Sequence, residues 1–527
     1  MTPQFVETAL FLLLLAVALA GLARRFAILY PIVLVVGGLL LGLVPGLPDV
    51  RLDPDLVFLV FLPPILYSAA VSTSFTHFRA NARPIALLAV GLVLTTMAAV
   101  AVVAHAIVPR LPWAAAFALG AIVSPPDAVA ATAIVRRLGL PQRVVTILEG
   151  ESLVNDATAL VAYRMALAAL VTGGFSLWQA GWQFLVVAAG GVLVGLASGW
   201  VAGRVRRRVD DPPTQITLSL LTPYAAYLPA EAFGLSGVLA VVTAGLWIGG
   251  TRLGISPATR LQTFAVWDVV NFLLNAWIFI LIGLQLRGVI GGLSDVSAST
   301  LIASAAAVSA TAIVVRILWV YPATYLPRLA SRSLRERDPY PDPRAVAVIA
   351  WTGMRGVVSL AAALALPFTL PGGRPFEARD LIVFLTFAVI LVTLVLQGLT
   401  LPPLLRRLGL ARPDGPRIEE RRARLEAARA ALARLDELMQ RDGHDRENAE
   451  RLRWRYDQRR RRLERETDLS DEADCARYTG SYEPLRRQLL EAERTRLRRL
   501  HEEGAIGDDV MLRLDRELVI EEAHTET

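Results

Sequence analysis

The chain has 527 residues, 54% of them hydrophobic, and its 54 basic and 47 acidic side chains give a formal net charge of +7. A soluble domain is usually about 45–50% apolar, so this composition excludes an ordinary soluble enzyme and indicates a polytopic membrane protein. The charge does not indicate nucleic-acid binding, because the arginines occupy short loops between apolar runs and the C-terminal region, without a basic face interleaved with aromatic residues.

Thirteen apolar segments follow one another along the first 405 residues. Each has the length of a membrane-spanning helix, which needs about 17–25 residues. We predict spans at residues 5–23, 26–46, 54–73, 84–108, 113–135, 146–171, 180–203, 215–231, 234–250, 264–287, 299–327, 344–370 and 380–404. The first segment has no basic region before it and is followed by Arg24 and Arg25, which reverses the charge order of a cleavable signal peptide. It is therefore predicted to be a retained first helix.

Arginines are concentrated on alternate loops between these segments, and this alternation predicts the orientation. The basic clusters are Arg24 and Arg25, Arg79 and Arg83, Arg136, Arg137 and Arg143, Arg204 and Arg206 to Arg208, Arg252 and Arg260, and Arg328 to Arg344. Cytoplasmic loops carry an excess of basic residues. We therefore predict a protein of the cell membrane with an odd number of crossings, its N-terminus outside and its C-terminus in the cytoplasm.

The sequence changes character near residue 411, where a charged, alanine-rich helical pattern begins. Opposite charges recur four residues apart, as in Glu420 with Arg424 and Glu447 with Arg451, a spacing that stabilises exposed helices. We predict a transmembrane domain at residues 1–410 and a helical cytoplasmic tail at residues 411–527. The single cysteine, Cys475, excludes an internal disulfide and fits a reducing compartment.

Two of the predicted spans contain helix-breaking sequences at corresponding places. Helices one to six and eight to thirteen are offset by seven crossings, so the second group runs in the reverse direction and an inverted repeat is predicted. The fifth span is interrupted by Ser124-Pro125-Pro126 and the twelfth by Thr352-Gly353-Met354-Arg355-Gly356. Paired interruptions of this kind indicate a substrate site near the middle of the membrane.

Acidic and polar side chains accompany the first interruption. Proline has no backbone N–H, so Pro125 and Pro126 should unwind the helix and leave backbone carbonyls free to ligate a cation. Asp127 follows directly, and Ser152, Asn155 and Asp156 lie on one face of the sixth helix at i, i+3 and i+4. Taken singly, the prolines are also explained by a kinked helix and each acid by a structural hydrogen bond or ion pair.

Together these residues favour a site for a small cation. An aspartate at the centre of a spanning helix costs about 2.5–3.5 kcal/mol, so such residues usually line an ion or proton path. Hard oxygen ligands suit an alkali cation. We predict Asp156, Asp127, Ser152, Asn155 and Pro126 as ion- and proton-binding residues, with Asp156, Asp127 and Ser152 as the ligands of the metal cation.

Two arginines fall within apolar segments and need buried acids. Glu151 is the expected partner of Arg355, in a pair assigned to architecture rather than to turnover. Arg316 has two candidate partners, Glu231 and Asp268, between which the sequence does not choose.

The chain resembles the cation-proton antiporter 1 family, which includes the bacterial NhaP-like sodium/hydrogen exchangers. The resemblance covers most of residues 5–405 and rests on four motifs, which are Leu62-Pro63-Pro64-Ile65-Leu66-Tyr67, Ser124-Pro125-Pro126-Asp127-Ala128-Val129-Ala130, Glu151-Ser152-Leu153-Val154-Asn155-Asp156 and Gly353-Met354-Arg355-Gly356. It implies a homodimer of thirteen-helix protomers. Each protomer would have a core domain of crossed, unwound helices that moves like an elevator against a dimerisation domain.

The resemblance also implies roles for individual residues. Asp156 is similar to the carboxylate that binds the cation and the proton, with Asn155 as its amide neighbour and Ser152 as an accessory ligand. Asp127 is similar to the acid at the unwound crossover, and Glu151 with Arg355 resembles the family's buried ion pair.

One position departs from the family pattern. Many members have an acid four residues after the Pro-Pro of the third helix, where this chain has Ser68. The selectivity among Na⁺, Li⁺ and K⁺ therefore stays open.

The sequence thus predicts a secondary transporter, not an enzyme, that exchanges Na⁺ for H⁺ in the lipid membrane, with no cofactor and no nucleic-acid partner. Asn155 cannot titrate where some related transporters have a second aspartate, so one proton should be exchanged for one cation without net charge movement. K⁺/H⁺ exchange is the nearest alternative. An intramembrane aspartyl protease using Asp127 and Asp156, or a channel or ion sensor that signals through the tail, are alternatives of other classes.

Overall fold

The structure is a computed structural model that describes residues 3–25, 30–42, 57–108, 111–127, 140–173, 176–251, 256–291, 293, 296–370, 373–410, 415–439, 446–468, 491–493, 495–497, 499–500, 503 and 514. Some predicted features lie outside the described residues, namely Ala128 to Ala130, Arg136, Arg137, Arg252, Cys475 and the side chains of Arg24 and Glu420. The chain divides into two compact units, Met1–Arg412 and Pro413–Thr527.

The described part of the first unit is almost entirely helical. Its helices are α1 (Pro3–Arg25), α2 (Tyr30–Gly42), α3 (Leu62–Ser72), α4 (Phe75–Ala80), α5 (Ala82–Ile107), α6 (Trp113–Val123), α7 (Gln142–Thr172), α8 (Leu177–Arg206), α9 (Pro212–Ala232), α10 (Gly237–Gly250), α11 (Pro257–Gly291), α12 (Ala298–Ala330), α13 (Arg332–Arg337), α14 (Pro343–Trp351), α15 (Val357–Leu364) and α16 (Arg379–Arg407). Wider π-helical turns occur at Val57–Phe61, Leu87–Leu92 and Thr393–Gln397. Two short antiparallel strands, β1 (Thr369–Leu370) and β2 (Arg374–Pro375), join α15 to α16.

Each of the predicted apolar segments contains at least one of these helices, which confirms the predicted all-α class. By length and composition, six helices of the described residues are able to cross a membrane, namely α5, α7, α8, α11, α12 and α16. Shorter apolar helices are α1, α2, α3, α6 and α10. The total of thirteen crossings and the inverted repeat stay predictions.

Both predicted interruptions are present. Helix α6 ends at Val123, and Ser124 to Asp127 are not helical. Residues 352–356 form the second interruption, between the half-helices α14 and α15. The prolines explain the first break, because a proline in a helix interior removes a hydrogen bond and clashes with the preceding turn.

Helices α2 and α11 pack backbone to backbone through glycines. A Cβ atom at Gly38 would overlap the carbonyl of Ile280, and one at Gly283 would overlap the backbone of Val35. Small residues let helices approach this closely in membranes, where dispersion contacts replace the hydrophobic driving force. Helix α11 is thereby held against α2, and it presents Asp268, Asn271 and Asn275 to the cavity described below.

A buried ion pair joins α7 to α12. Arg316 donates from Nη1 to Glu151 Oε1 at 2.5 Å and from Nη2 to Oε2 at 2.9 Å, and its Nε donates to the carbonyl of Ile349 in α14 at 3.1 Å. Each side chain is at most 2% exposed. The predicted pairing of Glu151 with Arg355 is therefore wrong in its partner, because a bidentate guanidinium from α12 already occupies both carboxylate oxygens.

Arg355 is instead held by the backbone. It donates to the carbonyls of Val123 and Ala312 at 3.1 and 3.3 Å and to that of Gly353. The carbonyl at the end of α6 thus accepts a hydrogen bond from the guanidinium of Arg355, in the second interruption. These backbone bonds explain how Arg355 is tolerated at 1% exposure with no carboxylate partner among the described residues.

Glu231, one of the two candidate partners of Arg316, pairs elsewhere. Its Oε2 accepts from Arg164 Nη2 at 2.6 Å, which links α7 to α9, and its Oε1 accepts from the backbone N–H of Gly237 at 3.2 Å. The other candidate, Asp268, lines the cavity. Neither predicted partner of Arg316 is correct.

The second unit contains two long described helices, α17 (Gly415–Met439) and α18 (Arg446–Asp468). Leu425, Ala428 and Leu463 form a small apolar contact between them, and Arg429 pairs with Glu464 at 3.1 Å. The predicted pair of Glu447 with Arg451 is confirmed at 2.5 Å. Residues 415–439 and 446–468 are therefore helical, and the cytoplasmic tail over residues 411–527 stays a prediction.

Replacing Glu151 by Gln should destabilise the protein by about 3–5 kcal/mol, because Arg316 would stay buried without a counter-charge. The measurement is the thermal unfolding midpoint of the detergent-purified chain. Glu231→Gln is the matched control, since it removes a partly exposed pair that contributes about 0.2–1 kcal/mol. Equal falls in the unfolding midpoint of the two variants would contradict the larger stabilisation expected of the buried pair.

Replacing Gly283 by Val should lower the stability by about 1–3 kcal/mol through overpacking against α2. Gly21→Val places the same side chain where a Cβ atom meets nothing within 4 Å. The yield of monodisperse protein and its unfolding midpoint should fall for the first variant and stay near wild type for the second. A tolerated Gly283→Val would show that α2 and α11 separate easily.

Candidate functional site

The two interruptions meet. The backbone N–H of Asp127 donates to the carbonyl of Met354 at 2.7 Å, so the extended segment after α6 pairs with the extended segment between α14 and α15. A Cβ atom at position 356 would overlap the Asp127 carboxylate, so only glycine fits there. The crossing therefore fixes both the backbone and the carboxylate of Asp127.

The amide of Asn155 fastens α7 to this crossing. Its Nδ2 donates to the carbonyl of Pro126 at 2.9 Å, and the residue is fully buried. Upstream of the prolines, Arg355 donates to the carbonyl of Val123 and Ser124 Oγ donates to that of Ala121, so side-chain donors also reach carbonyls near the end of α6. The expectation that these carbonyls are bare is thus wrong, because the protein supplies donors for them as required in an apolar interior.

A cavity of about 490 Å³ lies beside the crossing. Its walls come from α3, α7 and α11, from the first interruption and from the start of α15. The lining side chains with polar atoms are Tyr30, Ser68, Ser72, Asp127, Glu149, Ser152, Asp156, Asp268, Asn271, Asn275 and Ser359. The remaining lining is mainly aliphatic and aromatic, as is common in small-ligand sites.

Four carboxylates line the cavity, and no basic side chain of the described residues does. They differ in exposure. Asp268 is exposed, Glu149 and Asp127 are half-buried, and Asp156 is only 7% exposed. Desolvation penalises the charged form of a buried acid, and neighbouring carboxylates add to the penalty. A cation or a proton at Asp156 would relieve both penalties.

The structure brings together most of the residues that the sequence predicted for the site. Asp127, Ser152 and Asp156 line one cavity, next to Pro125. Asn155 and Pro126 differ, because they bond to each other and neither belongs to the described lining. Their arrangement suits holding the backbone of the crossing rather than contacting an ion directly.

The opposite wall contains polar residues that the sequence analysis did not assign. Ser68 of α3 donates to Asn271 Oδ1 of α11 at 2.9 Å, and Asn275 donates to the carbonyl of Asn271 at 2.8 Å. Asn271, Asn275 and Asp268 recur at three- and four-residue spacing on one face of α11, which is the signal that would have found them. Ser68 thus occupies the cavity wall with a hydroxyl in place of a carboxylate.

The donor set suits a weakly coordinated monovalent cation better than a tightly held metal. Among the described residues, no three His, Cys, Asp or Glu side chains are grouped closely enough to hold a metal ion. The oxygens at hand are carboxylates mixed with hydroxyl and amide groups, which are hard ligands.

Comparisons with known proteins agree with this geometry. Residues 11–407 match the family described as "Sodium/hydrogen exchanger, transmembrane". An uncharacterized Na⁺/H⁺ exchanger of Mycobacterium tuberculosis strain H37Rv is 35% identical over 95% of this chain and 92% of its own length. A sodium, potassium, lithium and rubidium/H⁺ antiporter of Bacillus pumilus is 36% identical over 75% of this chain and 60% of its own length. The Na⁺/H⁺ antiporter NhaH of Halobacillus aidingensis is 34% identical over 76% and 97%.

A solved structure is similar in fold. The sodium proton antiporter MjNhaP1 of Methanocaldococcus jannaschii aligns with a TM-score of 0.62 at 19% identity, over 77% of this chain and 99% of its own. The family match covers the interrupted helices, the cavity and Asp156 alike. The chain belongs to the sodium/hydrogen exchanger family of multi-pass membrane transporters.

Proposed function

We propose that the protein exchanges Na⁺ for H⁺ across the cell membrane and that Asp156 binds each of them in turn. The observation that carries the proposal is the position of Asp156, a buried carboxylate at the inner end of a cavity beside two interrupted helices. A carboxylate is costly at such a place unless it is protonated or paired with a cation. Family membership supports antiport as the general activity.

Competition for one carboxylate supplies the coupling. When Asp156 carries neither ion, its charge opposes movement through an apolar environment, and either a proton or Na⁺ removes that charge. The core then crosses readily only in a loaded form, so inward movement of one ion requires outward movement of the other. Asp127 and Ser152, on the same cavity wall, would complete the coordination of the cation.

The moving part in this proposal is the group of helices tied to the crossing. Asn155 connects α7 to the first interruption, the Asp127 N–H connects the first interruption to the second, and Arg316 connects α12 to α7 and α14. These bonds favour a rigid body that carries Asp156 past the wall formed by α3 and α11. Alternating exposure of one site to the two sides is the expected result.

The broader arrangement follows the family resemblance. We propose a homodimer of thirteen-helix protomers in the cell membrane, with the N-terminus outside and residues 411–527 as a cytoplasmic tail. The arginine-rich loops support this orientation.

Selectivity is set by Ser68 and Asn271, on the α3 and α11 side of the cavity, in this proposal. Ser68 and Asn271 face the carboxylate wall with a hydroxyl and an amide, which discriminate less sharply among alkali ions than a further carboxylate would. The Bacillus pumilus relative is named for sodium, potassium, lithium and rubidium. We therefore propose K⁺ and Li⁺ as secondary substrates beside Na⁺.

Asp156→Asn should abolish exchange, because the amide neither takes up a proton near neutral pH nor neutralises a cation. The assay is dequenching of a pH-sensitive dye in proteoliposomes on addition of Na⁺, Li⁺ or K⁺. Asp210→Asn, an exposed change on the loop between α8 and α9, is the control and should exchange like wild type. A folded Asp156→Asn protein that still exchanges Na⁺ for protons at a wild-type rate would refute the assigned role.

Exchange should also be electroneutral. Asn155 cannot titrate, so one proton moves against one cation, and membrane potential, worth about 2.3 kcal/mol per charge per 100 mV, supplies no driving force. Solid-supported-membrane recordings should show no Na⁺-induced current above that of the Asp156→Asn variant. A sustained current that scales with transport would establish unequal charge movement.

A further inference from the structure

We propose that the chain has a second binding site, distinct from the ion cavity, for the phosphate group of an anionic ligand. Three arginines from three helices converge on one acid at the end of the molecule that the charge pattern predicts to be cytoplasmic. Asp338 accepts from Arg143 Nη2 at 2.6 Å and from Arg328 Nη2 at 2.6 Å, and Arg83 Nη2 lies 3.9 Å from it.

The cluster is incompletely neutralised. Three guanidinium charges against the single carboxylate of Asp338 leave a net charge of +2. Arg328 and Arg143 have further acceptors, the carbonyls of Asp338 and Thr324 for the first and Asn81 Oδ1 for the second. The carboxylate of Asp338 accepts hydrogen bonds from Arg143 and Arg328, whereas Arg83 Nη2, at 3.9 Å, lies beyond hydrogen-bond distance.

Arg83 supplies the donors that await a ligand. Its Nε and Nη1 atoms are buried and have no hydrogen-bond partner among the described residues. Buried polar groups are nearly always paired, and an unpaired charged donor is among the most costly exceptions. Charge-assisted hydrogen bonds from a guanidinium to a phosphate are among the strongest that a protein forms.

A small pocket lies beside the three arginines. It has a volume of about 60 Å³, and Arg83, Arg143 and Arg328 all line it, together with Pro341 and Val346 at the start of α14. This volume accommodates one small anion or one headgroup phosphate and no larger ligand.

The surroundings favour a lipid as the source of the phosphate. Tyr325 stacks between Tyr321 and Tyr340, with ring centroids 6.4 and 6.0 Å apart, and the two outer rings are 38% and 43% exposed. Tyrosines of this kind concentrate at the level of the lipid headgroups. Thr324 and Pro341, the chain neighbours of Tyr325 and Tyr340, line the pocket. Basic pockets between helices on the cytoplasmic side suit anionic headgroups.

The test measures the unfolding midpoint of the detergent-purified full chain during titration with phosphatidylglycerol, phosphatidylcholine or inorganic phosphate. Phosphatidylglycerol should raise the midpoint more than phosphatidylcholine at equal concentration. Arg83→Gln should need about tenfold more phosphatidylglycerol for the same rise, the loss expected on removing one charge-assisted contact. Arg79→Gln, an exposed change in α4 outside the pocket, should respond like wild type.

A second variant should strengthen the binding of phosphatidylglycerol. Asp338→Asn raises the net charge of the cluster to +3 and should lower the phosphatidylglycerol concentration needed, whatever its own starting stability. An equal rise with inorganic phosphate alone would support the site and assign it to the free anion. Identical titrations for wild type, Arg83→Gln and Asp338→Asn would overturn the proposal. Because no transport is measured, this outcome is independent of the proposed antiport.

Discussion

A helix interrupted inside a membrane leaves backbone donors and acceptors that water cannot reach, and the protein must supply partners for them. Here the two interruptions supply partners for each other. The N–H of Asp127 pairs with the carbonyl of Met354, Arg355 donates to the carbonyl of Val123, and Asn155 donates to that of Pro126. The crossing is thus a hydrogen-bonded unit, and it holds Asp127 and α7 beside the cavity.

The same arrangement separates positive from negative charge. Arg316 and Arg355 lie behind the crossing, neutralised by Glu151 or bound to backbone carbonyls. The cavity in front of the crossing is lined by carboxylates without a basic side chain of the described residues. A cation entering the cavity therefore meets several carboxylates, whereas neither Arg316 nor Arg355 belongs to the cavity lining.

The local features of this site were predictable, and the long-range ones were not. Proline chemistry predicts the end of α6, and the spacing of Ser152 and Asp156 predicts their shared face on α7. The partner of Glu151 was mispredicted because Arg316 is 165 positions away along the chain, and a sequence gives no distance between distant helices. The asparagines of α11 were not predicted as cavity residues, because the sequence does not show that α3 lies opposite α11.

The bridge between Arg164 and Glu231 has a consequence for the speed of any cycle. Arg164 lies two turns beyond Asp156 on α7, and Glu231 lies on α9, so any sliding of α7 past α9 must open a 2.6 Å contact. The two side chains are 47% and 29% exposed. A pair so accessible to water contributes at most about 1 kcal/mol. The pair therefore favours one position of α7 only weakly. It slows movement of α7 away from that position by no more than about fivefold.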